Sequence, residues 1–383
     1  MENFTAYNPV KVHFGKGVTD HLGETVKPYG SKALLMYGKG STVKHGYYDR
    51  IVKQLKENDI EIVEYNGIKS NPVYEDVEEA IALARKENVQ LIIALGGGSV
   101  IDSAKIVSLS VPENLNPWHV MIRQQKPQKS LPLITVLTLA ATGTEMNAAA
   151  VLQNHKTGQK IGHVNPLAYP KHSFLDPEFT YSVPKNYTAF GVVDMIAHAL
   201  EAYFGQGVSR LTDKFIISII QEAMHFGPRV LKEPMNYEYR ANIMWTGTAA
   251  LNGMTNWGKK YGDWGVHALG HELSLQFDIP HGASLSIAYP AWMKLQIEKA
   301  GNRIAALGRA LWGDSDLRST IRNFENFFES IESPIRLQQA GIDVDKRENI
   351  IKGLNDNQAS GFVYPLNDEE RQKVVDFMYE GAL

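Results

Sequence analysis

The chain has 383 residues, 44% of them apolar and 21% charged, with a formal net charge of −3 and no cysteine. That length suits two domains, because single cores stop growing near about 250–300 residues, and the slightly negative balance gives no field for a polyanion, which argues against nucleic acid as a partner. The lack of cysteine excludes disulfides, thiolate zinc sites, iron–sulfur clusters and thiol nucleophiles, so any metal must take nitrogen and oxygen ligands. The first residues, "MENFTAYNPVKVHFGKG", carry no apolar stretch of the signal-peptide kind, and no uncharged apolar run reaches the roughly 18–20 residues of a membrane span. A whole, cytoplasmic chain without membrane contact is expected.

In chain order, "KALLMYG" (Lys32–Gly38), "IEIVEYN" (Ile60–Asn66), "QLIIALGGGS" (Gln90–Ser99) and "LPLITVLT" (Leu131–Thr138) read as strands. "YYDRIVKQLKEN" and "VYEDVEEAIALARKEN" fall between them as amphipathic helices. This alternation predicts a mostly parallel sheet. After the turn-rich "LDPEFTYSVPKN" the strand signal fades into long helical periodicity, including "DKFIISIIQEAMHFGPRVLKE" and "TIRNFENFFESIES". The boundary is placed near Val183, where "VPKN" suits a helix start. The expected organisation is an α/β domain over 1–182 and an all-helical domain over 183–383.

Two sets of residues carry chemistry. In "LIIALGGGSVIDSAK" a strand runs into Gly96, Gly97, Gly98 and Ser99 and then into a helix beginning near Val100. Glycines admit close approach of a ligand to the backbone, and a helix start offers free N–H groups to a phosphate. A tight turn that merely needs glycine is the competing reading, and neither the usual Rossmann nor the Walker spacing is present. The second set begins in "GVVDMIAHALEAYF", where Asp194 and His198 stand four residues apart on one helix face in apolar company. Downstream, "WGVHALGHELSLQFDIPHGAS" supplies His267, His271 and His281. Singly, each could be a core histidine satisfied by hydrogen bonds. Together, an aspartate and histidines on apolar elements need partners, and one divalent ion satisfies several at once. The few accompanying carboxylates argue against a two-metal hydrolase.

The runs Leu175–Glu201 and Gly265–Ala283, with "GGGSVIDSAK" and "TLAATGTEMN", resemble the iron-containing, group III alcohol dehydrogenases over nearly the whole chain. Within that family the chain is most similar to the branch of butanol dehydrogenases and broad-range aldehyde reductases. The resemblance implies a Rossmann-like dinucleotide-binding domain with a parallel sheet and an all-helical, dehydroquinate synthase-like metal domain, with the active site in the cleft between them. It implies Asp194, His198, His267 and His281 as metal ligands, and His271 beside nicotinamide and substrate, for proton relay or substrate positioning. The pyrophosphate site maps to Gly97, Gly98, Ser99 and Asp102, and Thr138, Thr142 and Lys160 map near the nicotinamide and its ribose. Iron is the family's metal, although histidine-rich ligation equally suits Zn(II), Co(II) or Ni(II). A homodimer is also implied, through an early strand around "YNPVKVHFG".

Nicotinamide choice turns on "YGKGSTVKHG" (Tyr37–Gly46). No acidic residue is present there to hold a ribose 2′-hydroxyl and repel a phosphate. Gly38, Lys39 and Ser41 offer room, a positive charge and a hydroxyl, which predicts NADP(H) over NAD(H). Lys39 departs from the branch's usual glycine. The expected reaction interconverts short-chain primary alcohols and aldehydes, with aldehyde reduction as the cellular direction. A glycerol-type, NAD-using polyol dehydrogenase of the same fold is the alternative. Trp245, Trp257, Trp264 and Trp292 flank the metal motifs and would suit either an apolar pocket or core packing.

Overall fold

The computed structural model describes residues 1–38 and 40–380, and among them no helix is long and apolar enough to cross a membrane. The chain forms two compact units, one of residues 7–183 with 235–248, the other of residues 1–6, 184–234 and 249–383.

The first unit is built on eight strands: β1 (Lys11–Phe14), β2 (Lys32–Gly38), β3 (Glu61–Ile68), β4 (Leu91–Gly96), β5 (Leu133–Leu137), β6 (Ala149–Asn154), β7 (Gln159–Val164) and β8 (His172–Leu175). Six of them form one sheet in the order β1-β8-β5-β4-β2-β3, and every pair in it is parallel. β4 and β5 are buried along their whole length, which explains their near-continuous apolar sequences: helices cover both faces of a parallel sheet. Alternate residues feed two cores. Leu34, Met36, Ile92 and Ala94 join the side packed by α2 (Tyr74–Lys86) and α3 (Gly98–Ser110). Ala33, Leu35, Ile93 and Leu95 face the opposite side with Ile51 and Leu55 of α1 (Tyr47–Glu57).

β2 continues to β3 on one side, whereas β4 continues to β5 on the other. The strand order therefore reverses between β2 and β4, and the crevice at their carboxyl ends is where ligands bind in open α/β sheets. Gly38 ends β2 and Gly96 ends β4, so both sequence-predicted cofactor segments lie at that crevice.

The second unit is helical, with α4 (Lys185–Tyr203), α5 (Arg210–Lys232), α7 (Gly265–Phe277), α8 (His281–Leu295), α9 (Ile297–Trp312), α10 (Leu317–Ser330), α11 (Arg347–Asp356) and α12 (Asp368–Glu380); α6 (Tyr237–Ala250) lies mostly in the first unit. α4 is buried on all sides from Gly191 to Tyr203, packed by α5, α7 and α8. A helix apolar all round is a core helix. Asp194 and His198 are thus carried into the interior by the hydrophobicity of their neighbours.

The expected contiguous division has no place for two short exchanges. Residues 1–6 belong with the helical unit, where the Glu2 N–H donates to the Gly258 carbonyl at 3.0 Å and Phe4 stacks on Trp257. Residues 235–248 belong with the sheet, where Thr248 donates to the buried Glu145 carboxylate and Trp245 meets Phe14 edge-on. The four tryptophans are accordingly dispersed. Trp292 is a core residue against Phe204 and Tyr364, and Trp264 is the one that touches the predicted metal ligands, its ring 5.2 Å from that of His267.

Candidate metal centre and cofactor cradle

α4 supplies Asp194 and His198, the first turn of α7 supplies His267, and His281 opens α8. Asp194, His267 and His281 each offer a ligand atom within 4.8 Å of the others. His198 stands outside that trio but brings its Nδ1 to 3.5 Å from Asp194 Oδ1. The same oxygen lies 3.9 Å from His267 Nε2 and 3.8 Å from His281 Nε2. These separations are too long for good hydrogen bonds. Asp194 Oδ1, His198 Nδ1 and His267 Nε2 are buried with no hydrogen-bond partner. Buried polar atoms left so are costly, and a single divalent ion bridging them removes the cost. The donor set of one carboxylate and three imidazoles fits such an ion.

Glu201 completes the arrangement from behind. One of its carboxylate oxygens accepts both the His267 N–H, at 3.0 Å, and the His267 Nδ1 hydrogen, at 2.8 Å; the other accepts the Trp264 N–H. With Nδ1 donating, the Nε2 lone pair is left for the ion. Burial opposes charge on His267, yet Asp194 and Glu201 prevail and raise it to about 9. Burial instead drives His198 down to about 4, against the pull of Asp194. The two carboxylates thus favour positive charge at this point while His198 is neutral, and a divalent cation held here would take the place of a proton on His267. The only trace of Glu201 in the sequence is its spacing from Asp194 and His198, i+7 and i+3, which keeps it on their helix face. His271 is half-buried, its ring 5.4 Å from that of His281 and 6.5 Å from that of His267, beside the cluster rather than in it.

The close packing that aligns α8 with α4 is visible at Gly282. A Cβ there would lie 2.1 Å from the Phe190 carbonyl oxygen, a backbone atom one turn before Asp194. Gly282→Ala is expected to cost about 1–3 kcal/mol through overpacking and to lower the melting temperature by several degrees, with less metal retained. Thermal scans and metal analysis of the variant check this, and wild-type values for both would refute it.

In the first unit, α3 begins at Gly98 with no side-chain cap from Gly97. None of Gly96, Gly97 and Gly98 has a positive φ. Space is the reason for glycine: a Cβ on Gly98 would meet Thr142 Cγ2 at 2.7 Å, and one on Gly97 would meet Leu139 Cβ at 3.0 Å. The loop after β5 is therefore laid directly on the helix start, and Thr138 is fixed by its N–H donating to the Gly96 carbonyl at 3.0 Å. Gly97, Gly98, Ser99, Thr138 and Thr142 are all half-buried around this junction. Asp102 faces the other way, with one oxygen accepting from Thr144 Oγ1 at 2.6 Å and the other from the Val151 N–H at 2.9 Å. Lys160 lies on β7, in a hairpin with β6, and donates to Asn71 Oδ1 at 2.7 Å. Gly38 ends β2, Ser41 is exposed at the start of a four-residue helix, and Lys39 lies outside the described residues.

Comparison with known proteins converges on one group. Residues 9–177 match the model of iron-containing alcohol dehydrogenase, and residues 188–375 match that of the C-terminal part of the Fe-containing alcohol dehydrogenase family. NADH-dependent butanol dehydrogenase A of Clostridium acetobutylicum is 37% identical over 99% of this chain and 100% of its own. The NADPH-dependent aldehyde reductase YqhD of Escherichia coli is 35% identical over 93% of this chain and 94% of its own. The crystal structure of NADH-dependent butanol dehydrogenase A from Thermotoga maritima superimposes with a TM-score of 0.96 at 36% identity, covering 99% of each chain.

Proposed function

Because the chain belongs to the iron-containing alcohol dehydrogenase family, we propose that it interconverts short-chain primary alcohols and aldehydes by hydride transfer, using a nicotinamide dinucleotide and one divalent metal ion. The observation that carries this reading is the set of buried, unpartnered ligand atoms on Asp194, His198 and His267, with His281 beside them. Asp194, His198, His267 and His281 would hold the ion, iron by family kinship, and a Lewis acid there stabilises negative charge on a substrate oxygen. Asp194 supplies the carboxylate of this donor set, neutral His198 offers a lone pair, and Glu201 fixes the orientation of His267. His271, beside His281, suits relay of a proton to the substrate oxygen or its positioning.

The uncapped start of α3 would take the pyrophosphate through backbone N–H groups at Gly97, Gly98 and Ser99. Asp102, whose oxygens are engaged within the fold, would support that cradle from below. Thr138, Thr142 and Lys160 would line the nicotinamide and ribose side. We favour NADP(H), because Gly38, Lys39 and Ser41 give room, charge and a hydroxyl where an NAD-selective site places an acid. The relatives include both NADH- and NADPH-dependent enzymes. An NADPH-dependent enzyme would run toward aldehyde reduction in the cell. A cysteine-free chain fits a reducing cytosol, and β1, the last strand at its side of the sheet, fits the strand-mediated homodimer implied by resemblance.

The deciding experiment strips the protein of metal, restores Fe(II), Zn(II), Co(II) or buffer separately, and follows NADPH and NADH oxidation with butanal, with glycerol oxidation by NAD in parallel. Metal-dependent butanal reduction supports the proposal. Turnover of glycerol alone would favour the polyol reading, and no turnover with any ion would refute both. Lys39→Asp is expected to raise KM for NADPH by about tenfold and leave that for NADH within about twofold, since it sets a carboxylate against the 2′-phosphate. Equal losses for both cofactors would remove Lys39 from the account.

A further inference from the structure

A lysine is fully buried beneath the glycine loop. Lys105 lies on α3, seven residues after Gly98, and is 0% exposed. An ammonium has three hydrogens, and all three are used: they go to Thr144 Oγ1 at 2.7 Å, Asn147 Oδ1 at 3.0 Å and the Ala149 carbonyl at 2.7 Å. Thr144 Oγ1 in turn donates to Asp102, one turn earlier on the same helix, and the other Asp102 oxygen takes the Val151 N–H. Asn147 Nδ2 donates to the Gly143 carbonyl at 2.9 Å. Lys105 and Asp102 thus fasten Thr144, Asn147, Ala149 and Val151 to α3 through five hydrogen bonds, and Thr142 is the residue that this leaves resting on Gly98.

Such a device is expensive. Burial pushes the Lys105 ammonium down to about 8, against the stabilising charges of Asp102 and Glu145. Replacing the whole buried polar cluster by well-packed apolar side chains is often neutral or stabilising, so stability alone does not account for it. What an apolar residue could not do is hold a polar loop in one register.

We propose that Lys105 is a positioning residue of the cofactor cradle, fastening the Thr142–Ala149 loop to α3 so that Thr142 and the uncapped helix start form one rigid surface that sets dinucleotide affinity. The inference rests on the proposed binding of the dinucleotide at Gly97–Ser99. Lys105→Met keeps the volume and removes the three donors. Its Kd for NADPH, from quenching of tryptophan fluorescence, is expected to rise about tenfold or more. KM for butanal and metal content should stay within about twofold of wild type, a split that a general loss of structure would not produce. NADPH affinity within about twofold of wild type in the folded variant would overturn the proposal. If Lys105→Met does not fold, Thr144→Val decides in its place, because it keeps the shape and deletes the hydroxyl joining Lys105 to Asp102: weaker NADPH binding supports the role and unchanged binding overturns it. Failure of the wild-type protein to bind either NADPH or NADH would refute the cofactor reading itself, and this inference with it.

Discussion

Asp194→Asn is expected to abolish stoichiometric binding of a divalent ion and to lower kcat/KM for butanal by about a thousandfold or more. Metal analysis after gel filtration and steady-state kinetics with excess Fe(II) or Co(II) would measure both. The size follows from two quantities: a Lewis acid at a developing alkoxide contributes several kcal/mol, and each 1.36 kcal/mol is about a factor of ten in rate. Asparagine keeps the volume and shape of the side chain, so the variant isolates charge. Asp194 Oδ1 is the common neighbour of His198, His267 and His281, at 3.5, 3.9 and 3.8 Å. Without its charge the imidazoles face one another with nothing to offset the ion's desolvation. Because asparagine is isosteric with the aspartate and carries no charge into the buried part of α4, the fold should survive, and an unchanged circular dichroism spectrum is the control. Wild-type metal content and activity in Asp194→Asn would remove the cluster from catalysis.

The sequence made some of this legible and concealed the rest for identifiable reasons. β2 was expected at Lys32–Gly38 and is found there, because a strand buried on both faces is a short unbroken apolar run. β1 and β8, four residues each, and the antiparallel hairpin β6–β7 carry too little periodicity to stand out. Asp194 and His198 could be placed on one helix face by spacing alone. That α7 and α8 bring His267 and His281 to that face is a matter of tertiary packing, written in contacts such as Gly282 on Phe190. The motif "TLAATGTEMN" points to Thr138 and Thr142, yet Thr144, Glu145 and Asn147 are buried and work inward, on Lys105, Asp102 and Thr248. Nothing in a string of residue types says which polar side chain faces a ligand and which holds up the backbone behind it.

Glu201 tests that distinction at the proposed metal centre. Glu201→Gln is expected to weaken divalent-metal affinity about 10–100-fold, the range found when a residue that orients a ligand is lost. The carboxylate now accepts from three hydrogens: the backbone N–H groups of Trp264 and His267 and the His267 imidazole. A glutamine has one acceptor oxygen, and its amide nitrogen would confront an N–H on whichever side it is turned. Either the start of α7 or the His267 ring loses its fix. The negative charge that helps raise His267 and strengthens it as a ligand is lost as well. Yet the ligand atoms themselves remain. Activity of Glu201→Gln should therefore return toward wild type as Co(II) is raised in a chelator-buffered titration, whereas Asp194→Asn should stay inactive at every concentration. Metal affinity within about twofold of wild type would show that the Glu201–His267 bond shapes the fold and not the ion's site. Recovery of Asp194→Asn at high metal would reverse the two roles, making Asp194 the support and leaving the imidazoles to hold the ion.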